Sequence, residues 1–370
     1  MKHCIFFLPY RLDETASRAR MVRPRKMIQG FRDLGYDVFV ITGYARERKE
    51  KIAELKKLID AGVSFDFIYA EASTMPTLLT EPHHYPTHPF LDFGFFRYLK
   101  QKGINAGLFY PDIYWKFDSY GKELPRWKRF FAISNYRLDI VEYEKWLSRF
   151  YLPSLEMCDY IGSEKLSQIA EELPPGADEV PVTKKEYSNR DFHQDPLTLF
   201  YVGGIGGHYQ LDALLQAVSM TECCRLILCC RKEEWEHSSL KDCQWLCDRI
   251  QVIHKSGKEL EEYYREADLG SLMFARSEYM GFAKPVKAYE YLSHELPILI
   301  TKDSGFDVFV TENGIGWALD YSAEAISKQL KAIIADPSLL EKVHQRIPAA
   351  KEKNTWKARA RQVSKGLMSK

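Results

Sequence analysis

The feature that most constrains this chain is an alternation of short apolar runs with amphipathic stretches, which occurs twice. In the first half "HCIFFLP" precedes "RPRKMIQGFRDLGY", a helical pattern closing at Gly35, and "DVFVITG" follows as a second strand. "FDFIYAE" (65–71), "NAGLFYPD" (105–112) and "CDYIGSE" (158–164) read as further strands, the last leading into "KLSQIAEEL". Between residues 174 and 196, "PPGADEVPVTKKEYSNRDFHQDP" breaks the rhythm with Pro, Gly and polar residues and reads as a linker. The rhythm restarts at "LTLFYVGG" and continues through "RLILCC", "IQVIHKS", "LGSLMFA" and "LPILIT". Apolar runs of strand length alternating with helical periods specify parallel sheets covered by helices on both faces. The expectation is therefore an α/β protein of two doubly wound, Rossmann-like domains, residues 1–175 and 197–353, joined by a linker at 176–196.

Composition narrows the function classes. With 45% hydrophobic and 28% charged residues among 370, the chain is globular and long enough for two cores. A formal net charge of +1 gives no argument for nucleic acid as a partner. No apolar run approaches the roughly 18–20 residues a bilayer-spanning helix needs. The apolar part of "MKHCIFFLPYRLDE" is short for a signal peptide and reads as a first strand. The eight cysteines lack zinc-ligand spacing and read as reduced, mostly buried thiols of a cytoplasmic protein.

Ligands of open α/β sheets bind beyond the carboxyl ends of the strands, so the residues just after each strand carry the functional signal. After "LTLFYV" come Gly203, Gly204, Gly206 and Gly207, where backbone N–H groups can approach a phosphate closely. This turn does not match GxGxxG with an acid about 20 residues on, which disfavours dinucleotide redox chemistry. After "RLILCC" comes Arg231, and after "LGSLMFA" comes Arg276. In "GFAKPVKAYEYLSHELPILI" (281–300) a helix is expected to start near Pro285, with Lys287 and Glu290 sharing one face of its first turns. The positive end of that helix is a seat for an anion, although an ordinary solvated Lys–Glu pair reads the same way. Glycine-rich turn, basic strand ends and lysine-bearing helix start together describe a diphosphate pocket.

"LFYVGGIGGHYQLDALLQAV", followed some 80 residues later by "KPVKAYEYLSHELPIL", resembles the donor-binding half of GT-B glycosyltransferases, in particular the large retaining, family 4-like group of bacterial polysaccharide transferases. "CDYIGSEKL" is similar to the last strand and helix of their acceptor domain, and "TWKARARQV" to the terminal helix that returns to it, so residues 354–370 would complete the first domain. The resemblance implies GT-B architecture, two Rossmann-like domains facing a central cleft. It also implies transfer of a sugar from a nucleotide-sugar to a glycan or lipid-linked acceptor, with retention, in capsule, exopolysaccharide or related glycan synthesis. A UDP-sugar is the first expectation for the donor and a GDP-sugar the second, with no cofactor and no metal. Glu290 would bind the ribose hydroxyls, and Lys287 with the helix N–H groups would face the donor phosphates. A nucleotide-sugar epimerase of the same fold and a non-catalytic subunit of a polysaccharide assembly are the alternatives.

The chain departs from that pattern at four places. The first of the family's two glutamates falls at Phe282, so Gly281, Phe282 and Ala283 mark the expected donor-sugar contact. Gly204 stands where an arginine is common and Tyr209 near where a lysine is common, leaving Arg231 and Lys287 to supply the positive charge. Glu295 stands where a glycine commonly ends the helix, which predicts a cost of about 1 kcal/mol or a different ending.

For the acceptor, Asp112 follows a strand and precedes Tyr114, Trp115 and Phe117, so it reads as a group that orients acceptor hydroxyls or as a strand-end cap. "EPHHYPTHPF" brings His83 and His84 into a proline-rich loop that reads as an acceptor contact or simply an ordered loop, and its HHxxxH spacing is a poor metal template. "RARMVRPRK" (18–26) holds five basic residues and no acid, and the last twenty residues hold seven basic residues against Glu352. Such patches suit an anionic membrane surface or a lipid-diphosphate acceptor at the inner face of the plasma membrane; a solvated helix face is the other reading.

Overall fold

The computed structural model describes residues 2–13, 19–182, 185–206, 209–275 and 284–368. It divides into two units, Met1–Pro174 with Trp356–Lys370, and Pro175–Thr355.

In the first unit, strands β1 (Lys2–Phe7), β2 (Tyr36–Ile41), β3 (Phe67–Glu71), β4 (Asn105–Phe109), β5 (Arg149–Leu152) and β6 (Ala170–Glu172) form an all-parallel sheet in the order β2-β1-β3-β4-β5-β6. Its helices are α1 (Ala19–Asp33), α2 (Ala45–Asp60), α3 (Leu91–Gln101), α4 (Arg126–Trp146), α5 (Met157–Ile161) and α6 (Glu164–Gln168). The strand expected at 158–164 is instead α5 and the start of α6, and the sheet is completed by "RFYL" and "AEE". Four or five mixed residues carry too little periodicity to separate a strand from one helical turn. Gly162, at φ 70°, then ends α5 in the left-handed conformation.

Buried charges brace the strand ends of this unit. Arg48 pairs with Asp92 at 2.7 Å and also donates to the carbonyls of Pro9 and Gly43, the loops that follow β1 and β2. Arg23 is buried, 3.4 Å from Glu71 and with its guanidinium 3.5 Å from the Phe109 ring centre. The basic run 18–26 is therefore not a continuous solvated patch, because Arg23 faces the core; Arg18 lies outside the described residues.

In the second unit, β7 (Leu197–Val202), β8 (Cys224–Cys229), β9 (Ile250–Ile253), β10 (Leu269–Leu272), β11 (Ile298–Thr301) and β12 (Gly316–Leu319) form a parallel sheet in the order β12-β11-β10-β7-β8-β9. The helices are α7 (Asp212–Ser219), α8 (Lys232–Glu236), α9 (Glu261–Glu266), α10 (Val286–Ser293), α11 (Asp307–Glu312), α12 (Ala323–Ala335), α13 (Ser338–His344) and α14 (Ile347–Lys353), while α15 (Trp356–Met368) belongs to the first unit. α15 packs on α1, where a side chain at Gly30 would stand 2.9 Å from the Trp356 carbonyl oxygen.

The segment 176–196 is not a free tether. Tyr187 and Phe192 are buried in the second core, and Lys185 and Arg190 reach the buried carboxylate of Asp268. The sequence pattern missed this because the anchors are isolated aromatics and charges without a period.

Candidate active site

In the second sheet the chain runs outward from β7 through β8 to β9, then returns to β10 and runs the other way. The switch point therefore lies between β7 and β10, and the crevice beyond their carboxyl ends is where this sheet can hold a ligand. Gly203, Gly204 and Gly206 follow β7 directly. The Gly203 N–H donates to the Cys229 carbonyl at 3.0 Å, and the Gly204 carbonyl accepts the Tyr201 hydroxyl at 2.5 Å. Gly206 has φ +85°, and a tight pair of backbone bonds to Tyr209 closes the turn. Only a residue tolerant of the left-handed region makes that turn without strain. Tyr209, where a lysine is common in the resembled family, packs its ring edge-on against Phe274 after β10.

At the end of β8, Arg231 caps the short α8 and donates to Glu234 at 2.9 Å, with its side chain 76% exposed. The other Glu234 oxygen accepts the Ile205 N–H at 3.4 Å, so one carboxylate spans Arg231 and the glycine turn. This contact was not foreseen, although the i,i+3 spacing of Arg231 and Glu234 was its signal.

α10 starts where the sequence placed it, with Pro285 at its N-cap. Tyr291 sets its position on the sheet. A side chain at Gly270 would collide with the Tyr291 ring at 2.4 Å, and the Tyr291 hydroxyl donates to the carbonyls of Phe200 and Ser271. β7, β10 and α10 thus share one hydroxyl. At the other end Glu295 adopts φ 57°, its carbonyl is within 3.0 Å of His344 Nδ1, and its carboxylate pairs with Lys351 at 3.1 Å. The helix ends in the left-handed residue that a glycine would supply, and ionic contact offsets the strain.

Lys287 and Glu290 meet on the first turns of α10, as their spacing implied, at 2.7 Å. The same oxygen, Glu290 Oε2, accepts the Tyr264 hydroxyl at 2.5 Å. Oε1 has no hydrogen-bond partner among the described residues. Tyr264 comes from α9 and stacks on His294 at 3.9 Å between ring centres with 5° between planes. Burial, and then the Glu290 charge, raise the Tyr264 hydroxyl well above its ordinary pKa, so it stays a donor. Burial lowers His294, which favours the neutral ring in that stack. Nothing in the sequence near α10 announced Tyr264, which lies 26 residues before Glu290. Burial raises the Cys229 thiol, and its contact with the Lys255 carbonyl and then the charge of Lys287 pull it back.

Gly281, Phe282, Ala283 and Arg276 lie outside the described residues. Lys284 donates to the Gly305 carbonyl at 3.0 Å.

The residues that the sequence offered for an acceptor all lie in the first unit. Asp112 accepts the Tyr114 N–H at 2.9 Å, holding the turn after β4, and Tyr114 is exposed. Trp115 is buried: its ring stacks on Tyr136 at 5.1 Å and its N–H donates to the Tyr110 hydroxyl. One face of the Trp115 ring is thus covered by Tyr136. His83 accepts the Tyr85 N–H and stacks on that ring, while His84 sits at φ 56° with Nδ1 3.0 Å from the Leu79 carbonyl. Among the described residues no group of three or more His, Cys, Asp or Glu stands close enough to hold a metal, and no helix is long and apolar enough to cross a membrane.

Residues 183–353 match the family described as Glycosyl transferases group 1. No curated protein matches the chain by sequence. Sucrose-phosphate synthase from Thermosynechococcus elongatus is similar in structure over 98% of both chains, at 15% identity and a TM-score of 0.58. WaaG, a glycosyltransferase involved in lipopolysaccharide biosynthesis, is similar over 99% of this chain and 100% of its own, at 11% identity and a TM-score of 0.53. Phytolacca americana UGT2, solved with UDP-2fluoro-glucose and pterostilbene, is similar over 98% of this chain and 99% of its own, at 8% identity and a TM-score of 0.50. At these identities the likeness is one of fold, and the fold is GT-B.

Proposed function

We infer that this chain, a GT-B glycosyltransferase whose residues 183–353 match the group 1 glycosyl transferases, moves a sugar from a nucleotide-sugar donor to a glycan or lipid-linked acceptor. One observation carries the site assignment: Glu290 Oε2 is held by Tyr264 and Lys287, which leaves Oε1 open at the start of α10. An ionised carboxylate with one oxygen fixed and one open is suited to accept hydrogen bonds from a vicinal diol, the chemistry of a ribose.

The diphosphate then faces the glycine turn, Lys287 and the N–H groups of the first α10 turn. As the bond to the sugar breaks, negative charge grows on the leaving phosphate. Lys287, Arg231 and oriented backbone N–H groups stabilise it without having to reorganise, and this supports metal-independent transfer. Arg231 becomes available when the phosphate displaces Glu234. With Phe282 in place of the family's first glutamate, the donor sugar is held by the 281–283 segment. Asp112, on the turn after β4, orients the acceptor hydroxyl, with Tyr114 beside it. Transfer with retention, a UDP-sugar ahead of a GDP-sugar, and a saccharide or lipid-diphosphate acceptor in bacterial surface-glycan synthesis complete the reading. Work at the cytoplasmic face of the plasma membrane fits such an acceptor.

A thermal-shift screen of UDP-, GDP-, ADP- and dTDP-sugars tests the proposal. A donor at 100 times its Kd adds about 2.7 kcal/mol, or about 5–10 °C for a unit of this size. A rise of that size with one nucleotide class, cut by about half or more in Glu290→Gln, supports it. No shift with any of them contradicts it.

A further inference from the structure

Helix α4 buries Ala132, Asn135, Tyr136, Asp139, Ile140 and Tyr143 against the first unit. Its opposite side carries Trp127, Phe130, Phe131, Leu138 and Val141, all exposed, with Trp127 at 63% and Phe130 at 72%. At 3.6 residues per turn these five side chains fall on one arc of about 100°. Arg126 and Arg137 flank the arc on one side and Lys128 on the other, and all three are exposed. None of the three has an acidic partner among the described residues, and no acid lies between Glu123 and Asp139. A solvated helix face has no use for two aromatic rings side by side in water, since contiguous exposed apolar surface marks an interaction site.

We propose that this side of α4 is a docking surface for an anionic lipid bilayer. The proposal rests on the reading that the enzyme works at a membrane face, and it assigns that contact to residues other than the basic run 18–26. A tryptophan and phenylalanines between basic flanks match the physics of an interfacial helix, whose apolar side sinks into the acyl boundary while lysine and arginine meet acidic headgroups. The stripe from Trp127 to Val141 runs about 21 Å, enough to lie along a surface. A second copy of the chain fits less well. A two-fold contact through this patch buries basic flanks on both copies with no acid between Glu123 and Asp139 to pair them. The surface also suits the acceptor. A helix that follows β4 begins at the edge where β4 ends, the same edge that carries Asp112 and Tyr114, so a lipid-linked sugar is presented where its acceptor site is expected.

The test is co-sedimentation of the full chain with vesicles of phosphatidylcholine and 30% phosphatidylglycerol, and with vesicles of phosphatidylcholine alone. Wild type is expected to bind the anionic vesicles. Trp127→Ser/Phe130→Ser is expected to lose at least tenfold in partitioning with an unchanged circular dichroism spectrum, because both side chains stand in water. Arg126→Ser/Lys128→Ser/Arg137→Ser is expected to lose the preference for anionic lipid. Equal partitioning of wild type and Trp127→Ser/Phe130→Ser overturns the assignment to α4 and leaves the membrane reading standing. No binding of wild type to either vesicle overturns both. Sedimentation velocity showing a wild-type dimer that Trp127→Ser/Phe130→Ser converts to monomer, with vesicle binding unaltered, gives the surface to a second copy instead.

Discussion

Removing one buried hydroxyl should separate the ribose contact from the phosphate contact. In Tyr264→Phe the ring keeps its stack on His294, and only the 2.5 Å bond to Glu290 Oε2 is lost. A hydrogen bond to a charged acceptor contributes about 1.5–3 kcal/mol when buried. Glu290 is 35% exposed and keeps Lys287 at 2.7 Å, so water and the ammonium recover part of that. About 1–2 kcal/mol remains, shared between folding and the orientation of Oε1 toward ligand. Stability should therefore fall by about 1 kcal/mol, and the Kd for the responding nucleoside diphosphate should rise about 2–5-fold. Inorganic pyrophosphate has no ribose, so its affinity should not change. Titration calorimetry on wild type, Tyr264→Phe, Glu290→Gln and the double variant gives the coupling directly, because a shared contact makes the two losses less than additive. A full Glu290→Gln effect beside an unmoved Tyr264→Phe would refute the positioning role. Equal losses for nucleotide and pyrophosphate would refute the ribose assignment itself.

Three further outcomes follow from named residues. Burial pushes Asp139 up to about 8, while its Oδ2 accepts the Thr77 N–H and its Oδ1 has no hydrogen-bond partner among the described residues. The folded state thus holds a proton that the unfolded state releases near pH 4, so this group costs stability progressively as pH rises from about 4 to 8. Asp139→Asn should then stabilise the chain at pH 9, by about 2–3 kcal/mol after relaxation, with little effect at pH 4, as read by denaturant melts; equal effects at both pH values would contradict it. Glu295→Gly relieves about 1 kcal/mol of left-handed strain but leaves the largely buried Lys351 ammonium without its counter-charge, so the net change should be destabilising and Lys351→Met should reverse it. Arg231→Ala and Lys287→Ala should each lower kcat about a hundredfold with a smaller change in donor affinity, and turnover should survive EDTA. Near-normal turnover in both variants would move the charge to Lys284 or Arg276, and a metal-reversible loss would show that a cation takes part.

The sequence was most legible where a segment is long, apolar and punctuated. β7, β11 and α10 lie where their apolar runs, glycines and Pro285 placed them, and the Lys287–Glu290 pair formed because three-residue spacing puts both side chains on one helix face. It was least legible for β5 and β6, four and three residues long, which only the sheet's own register makes into strands. Trp115 shows a second limit. An aromatic after a strand reads equally as a sugar platform or as core, and only the Tyr136 ring 5.1 Å away shows what covers it. Tyr264 shows a third, since a side chain that positions another across 26 residues leaves no local pattern.

The central claim is transfer of a sugar from a nucleotide, with Glu290 holding the ribose. The most direct measurement follows a radiolabelled sugar from the responding nucleotide-sugar into a glycan or lipid fraction while the released nucleoside diphosphate is quantified by chromatography. The account predicts incorporation that matches nucleoside diphosphate release one for one, and in Glu290→Gln a KM for the donor raised by about tenfold or more, the loss of one charge-assisted contact. Consumption of the nucleotide-sugar with no label in any acceptor and with an epimerised sugar as product would contradict it.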